Sequence, residues 1–224
     1  SGGDGNYFYN WYTSLNGSTW SSIPGAIEDV FQPGSLVDPT YYKVVQTSGS
    51  GCGTGETNAK EIVVFPSVVG ANAFGNQAIC FNTVPNTIYR SNVATGGGND
   101  GFTYQWQISS DDLFWSDIIG EKDSLYNPSS LTSSTFYRLK TVSNFGCGPK
   151  YSPSQFVEVY DLFRPGEIES DQDICFNTIP NQFSFLVNPA GADGEYSYQW
   201  LKSDDTLIWI EIDSATDIDF TEAE

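Results

Sequence analysis

The chain of 224 residues contains no His and no Met, only nine Lys and Arg, and only four Cys. Without His there is no Ser/His or Cys/His nucleophile pair and no imidazole metal ligand. No side chain has an ordinary pKa close to neutrality. Nine cations against 28 acids leave a formal charge of -19, and the basic residues form no cluster. Phosphate backbones and anionic membrane surfaces both need Lys and Arg to displace counterions, so nucleic-acid binding and direct membrane insertion are excluded as expectations. No run of about 18 apolar residues is present, so no transmembrane helix is expected. Ser1 opens no signal peptide, and any targeting segment is expected to have been removed or to lie outside the sequence.

What the chain does hold is 39% hydrophobic residues, 15% of all residues being aromatic, with 22 Gly and 11 Pro. That is enough apolar material for a core, and 17% charged residues is too few for a disordered polyelectrolyte.

Comparison of the chain with itself reveals a repeat. Trp11, Trp106 and Trp200 are separated by 95 and 94 residues, and so are Trp20, Trp115 and Trp209. Cys52 and Cys147 are 95 apart, as are Cys80 and Cys175. Ile79–Asn86 reads ICFNTVPN and Ile174–Asn181 reads ICFNTIPN, identical at seven of eight positions. The expected organisation is a partial repeat over 1–68, a complete one over 69–162 and a second partial one over 163–224, as in a piece of a longer array. Linkers are expected near Phe65–Phe74 and Leu162–Asp173, stiffened by Pro66 and Pro165.

Apolar residues alternate with period two rather than recurring at helical spacing. Phe102, Tyr104, Trp106 and Ile108 share one strand face, and Thr103, Gln105 and Gln107 the other; Lys202 stands where Ile108 does. Asn16-Gly17, Asp111-Asp112 and Asp204-Asp205 read as equivalent turns before the second Trp of each repeat. Further strands are expected over Phe136–Val142, echoed by Tyr41, Tyr42 and Val44, and over Gln155–Tyr160, echoed by Glu61–Phe65. Gly96-Gly97-Gly98 reads as a flexible connection, lacking the Lys-Ser/Thr of a phosphate loop. About seven short strands per 95 residues give an all-β fold class, tandem immunoglobulin-like antiparallel β-sandwich repeats.

The cysteines admit two schemes, Cys52–Cys80 with Cys147–Cys175, or Cys80–Cys147 within the complete repeat. The last strand would hold Cys147 and Cys175 far apart, which favours Cys80–Cys147, with the partners of Cys52 and Cys175 outside the sequence. Such a bond implies an oxidising compartment. The three thirds of the chain carry -4, -3 and -12. The acidic last third reads as a solvated face, with Asp171, Asp173, Asp193 and Glu195 as a weak calcium candidate that lacks a DxDxDG loop. Catalytic sites, cofactors and other metals are not expected, since the paired acids sit in turns. Tyr12, Trp20, Trp115 and Trp209 could stack on sugar rings, against the plainer reading that they are core.

The string ICFNTVPN, a Gly-rich stretch, TYQWQISSDDLFWSDIIG, YNPSSLTSSTFYRLKTVSNFGCG and a closing FVEV resemble the immunoglobulin-like tandem repeats of very large Bacteroidetes cell-surface proteins, of the gliding-motility adhesin type exported by type IX secretion. The resemblance implies a non-enzymatic filament at the bacterial cell surface. Its partners would be neighbouring repeats, surface polysaccharide and the secretion and motility machinery. A carbohydrate-binding module of a secreted polysaccharide-degrading enzyme, and a calcium-rigidified linker protein, are the alternatives.

Overall fold

A computed structural model describes residues 5–98, 100–169 and 171–220. Among them there is no helix, and twenty strands account for the regular structure. Residues 5–65 form β1 (Tyr7–Ser14), β2 (Ser21–Ser22), β3 (Thr40–Ser48), β4 (Thr54–Glu56) and β5 (Lys60–Ile62). These make one antiparallel sheet ordered β2-β1-β3-β4, with β5 also on β3. Next come β6 (Ala73–Phe74), β7 (Gln77–Ile79), β8 (Ile88–Arg90), β9 (Phe102–Ser109), β10 (Ser116–Asp117), β11 (Leu125–Tyr126), β12 (Thr135–Ser143), β13 (Pro149–Tyr151) and β14 (Gln155–Val159). They form a sheet ordered β10-β9-β12-β14-β7, with β13 on β12, and a second sheet ordered β11-β8-β6. The pairing of β14 with β7 is parallel, with Val157 opposite Gln77.

Residues 161–211 add β15 (Asp161–Arg164), β16 (Glu167–Ile168), β17 (Phe185–Val187), β18 (Ala190–Ala192), β19 (Leu201–Lys202) and β20 (Ile210–Glu211), paired as β15-β18, β16-β17 and β19-β20. By contacts the chain divides into two compact units, Ser1–Gly70 with Ala94–Thr103 and Thr141–Lys150, and Ala71–Val93 with Tyr104–Lys140 and Tyr151–Glu224.

A core cluster lies in the second unit. Ala71, Ala73, Ile88, Trp106, Tyr137, Leu139 and Val157 make one buried cluster, so side chains of both central sheets meet there. Tyr104 and Ile108 pack against it, as the alternation along β9 predicts. Burial raises the pKa of Tyr137 far above the ordinary phenol value, which keeps its hydroxyl protonated.

The Trp strand carries a non-local signature written three times. The indole N–H of Trp11 donates to the Glu28 carbonyl (2.9 Å), that of Trp106 to Asp123 (3.0 Å) and that of Trp200 to Asp217 (3.0 Å). Each reaches 17 residues on, and it satisfies the one polar group of a ring otherwise used for packing.

The turn before the second Trp is likewise built the same way in each repeat. Asn16 Oδ1 accepts from the Ser18 and Thr19 amides, Asp111 Oδ1 from Leu113 and Phe114, and Asp205 Oδ1 from Leu207 and Ile208. The residue after each acceptor is left-handed: Gly17 at φ 66°, Asp112 at 60° and Thr206 at 62°. The Asp pairs are therefore out of step by one residue. Asp205, not Asp204, is the counterpart of Asp111, a shift that reading the pairs as units conceals.

Candidate functional site

Trp20 and Trp115 immediately precede β2 and β10, so each ring lies beside the strand pair that follows. Lys43 Nζ sits 4.7 Å from the centre of the Trp20 ring and forms a 2.8 Å ion pair with Glu56. At the same place one period later, the Arg138 guanidinium lies 4.2 Å over Trp115 and 4.1 Å over Tyr151. Its Nε donates to Gln107 Oε1 (2.7 Å), and Gln107 in turn donates to Asp117 (2.6 Å). Desolvation lowers the Arg138 pKa, with the Tyr151 and Asp112 charges opposing the shift; the group stays cationic.

A cation over an indole is worth about 0.5–1 kcal/mol at an exposed site. It also covers one face of the ring, which is then not open to a sugar. Trp115 is half-buried and Trp209 is 56% exposed. Tyr12 belongs to β1 and its hydroxyl accepts from Asn10 (3.2 Å). Tyr12 and Trp20 share one hairpin, through the Tyr12–Ser22 pairing.

Asp171, Asp173, Asp193 and Glu195 are all exposed. Asp193 Oδ1 accepts from the Glu195 amide (3.1 Å), an ordinary turn bond. Among the described residues, no three acidic or Cys side chains converge on a point where a metal could be held.

The expected Cys80–Cys147 disulfide is corrected by the sheet topology. All four cysteines are exposed and unpaired. Cys80 follows β7, which runs parallel to β14, and Thr135 at the start of β12 is level with Val157 and Gln77. Cys147 follows the other end of β12. Nine residues of extended strand separate the two by roughly 27 Å along the sheet, whereas a disulfide needs about 5.5 Å between α-carbons. The expectation failed because it put Cys80 at the start of the first strand, at the same end as Cys147, whereas Cys80 follows β7.

The segments between repeats hold the feature that sequence reading missed. Gly97 N donates to the Pro66 carbonyl (2.7 Å), and Val69 and Thr95 exchange two backbone bonds (2.9 and 3.0 Å). Phe65 packs edge-on against Phe145, 4.4 Å between ring centres. Gly96 is left-handed (φ 78°), and a Cβ there would fall 2.2 Å from the Ser67 carbonyl oxygen.

One period on, β15 pairs with β18, Arg164 opposite Ala190. Gly191 is left-handed (φ 84°), and a Cβ there would fall 2.1 Å from the Leu162 carbonyl oxygen. Gly96 and Gly191 are 95 apart, as are Ser67 and Leu162. The Gly-rich stretch is therefore a seat for the linker backbone rather than a loose connection. The sequence signal was available in the glycine that recurs with the period.

No curated protein matches the chain. A family described as "Domain of unknown function (DUF8696)" matches over residues 1–66 and over residues 69–161. With well over half of its length matched, the chain belongs to the DUF8696 family.

Proposed function

We propose that this chain is a spacer segment of an extracellular adhesin. In this reading it is a series of immunoglobulin-like β-sandwich repeats that carries adhesive regions away from a bacterial cell surface and performs no catalysis. The observation that carries this is the docked linker, repeated at two junctions with the same close backbone approach at Gly96 and Gly191. A spacer needs each repeat to hold the chain leading into it, and such a joint stiffens the connection at little cost in sequence. The uneven acidic surface and the absence of His fit a solvated, non-catalytic role.

The resemblance to gliding-motility adhesins supplies the setting: export by type IX secretion, with neighbouring repeats and surface polysaccharide as partners. The alternative, a carbohydrate-binding module using Trp20 and Trp115, is weakened because Lys43 and Arg138 cover those rings. The test is labelling of intact, unpermeabilised cells with antibody raised against residues 1–224. The expected result is surface signal that mild external protease removes; signal that appears only after permeabilisation contradicts the proposal.

A further inference from the structure

A binding site in a repetitive chain should differ between repeats, and one cleft does. It has a volume of about 670 Å³, and its lining includes Phe81, Thr132, Ser133, Tyr160, Asp161 and Arg164. This is within the roughly 300–1,000 Å³ typical of small-molecule sites.

Hydrogen bonds fix its walls. Asn82 N donates to the Leu131 carbonyl (2.7 Å) and Leu131 N to the Thr83 carbonyl (3.0 Å), which holds the turn carrying Phe81 against the hydroxyl run at 132–134. Val159 N donates to Ser134 Oγ (2.9 Å) and Tyr160 N to the Ile79 carbonyl (2.9 Å), which brings the end of β14 alongside. The β15-β18 pair closes the remaining side, where Gly191 also lines the cleft.

At the preceding junction the counterparts of Thr132, Ser133, Tyr160, Asp161 and Arg164 are Val37, Asp38, Phe65, Pro66 and Val69. Four of these five positions lose a polar group there. Linker docking, which both junctions perform, does not require those groups.

We propose that this cleft binds a neutral saccharide. Phe81, 39% exposed, offers an aromatic surface to the apolar face of a sugar ring. Asp161 and Arg164 are exposed and neither forms an ion pair among the described residues. The carboxylate accepts from a pair of neighbouring sugar hydroxyls, and the guanidinium fork donates to ring and hydroxyl oxygens. Thr132 and Ser133 do either. A uronic acid is disfavoured, because residues 163–224 carry -12 and one Arg does not reverse that field. The inference supplies a target for the adhesive reading, but its test does not depend on where the protein resides.

The test is calorimetric titration of the full chain with cello-, xylo-, manno- and laminarihexaose, with an oligogalacturonate of the same length as the acidic comparison. Saturable binding to at least one neutral hexaose is expected, stronger than to the oligogalacturonate. It should weaken about tenfold or more in Phe81→Ala and in Arg164→Ala proteins that melt at the wild-type temperature, as truncated contact residues commonly do. Trp115→Ala should bind as wild type. No saturable binding to any neutral hexaose at millimolar concentration overturns the proposal. So does binding that survives both cleft substitutions, or binding lost in the Trp115 variant instead. Arg164 lies outside the core cluster, so its variant remains informative if Phe81→Ala proves unstable. Surface labelling with no sugar binding would remove the cleft alone and leave the spacer reading standing.

Discussion

Replacing Gly96 by Ala perturbs the linker seat with a single methyl group. Its Cβ would stand 2.2 Å from Ser67 O, 3.0 Å from Ser67 C and 3.2 Å from Pro66 O, all backbone atoms that cannot swing aside. The variant must either distort φ from 78° or push the linker away. If the linker leaves, three backbone bonds go with it: Gly97 N to Pro66 O, and the pair between Val69 and Thr95. Each is worth about 1 kcal/mol net, and the left-handed conformation costs an Ala about 1–2 kcal/mol. Local opening should therefore become easier by about 4 kcal/mol, close to a thousandfold at 1.4 kcal/mol per decade.

The assay is native-state hydrogen exchange at the amides of Val69, Thr95 and Gly97. Gly120→Ala is the control, because Gly120 is also left-handed (φ 85°) but has nothing within 4 Å of its absent Cβ. It should show the conformational cost alone and leave the linker amides unchanged. Linker protection in Gly96→Ala within threefold of wild type would refute the reasoning, as would an equal loss in the Gly120 control.

Other outcomes follow from the core, the cation stack, the turns and the thiols. Trp106→Ala removes a fully buried ring with its bond to Asp123, and should cost about 3–5 kcal/mol in denaturant titration; a loss below 1 kcal/mol would contradict its place in the core. Arg138→Ala uncovers Trp115 and should raise acrylamide quenching of tryptophan fluorescence, an increase that must vanish in a Trp115→Phe background. The Asp111 carboxyl is held below its ordinary pKa by the amides of Phe114 and Leu113 and by Ser109. Its contribution is thus present above the ordinary carboxylate range and is lost as pH falls through the lowered folded value. Asp111→Asn should keep the turn, as Asn16 does, and flatten that part of the acid limb of melting temperature against pH; an unchanged acid limb would contradict this. All four thiols should react with a disulfide reagent in native buffer, whereas two or fewer would contradict the exposed, unpaired cysteines.

The parts of the fold that depend on local pattern were legible in the sequence. Alternation along Phe102–Ile108 put Trp106, Tyr104 and Ile108 on the core side, and the strands around Phe136–Val142 and Gln155–Tyr160 lie where β-branched and aromatic residues alternate. What depends on partners distant in sequence was not. Nothing near Cys80 signals that it follows β7 instead of preceding the first strand, and with β7 parallel to β14 that places it away from Cys147. The covering of Trp115 requires Arg138 and Tyr151, 23 and 36 residues away, to arrive on adjacent strands. The cleft is harder still, since its lining comes from four separate segments that the hydrogen bonds at Leu131, Ser134 and Tyr160 and the β15-β18 pairing bring together. The linker seat lay between these cases: Gly96 and Gly191 repeat with the period, but their purpose appears only with the Ser67 and Leu162 carbonyls beside them.

Whether the repeats are joined by docked or by loose linkers can be read by pulling the chain in an optical trap from handles near its two ends. Docked linkers give no soft lengthening attributable to residues 66–70 and 161–166 before the first unfolding step, and Gly96→Ala should introduce such lengthening. Compliance of a flexible linker in the wild-type chain at low force, unchanged by the substitution, would mean that the linkers are loose.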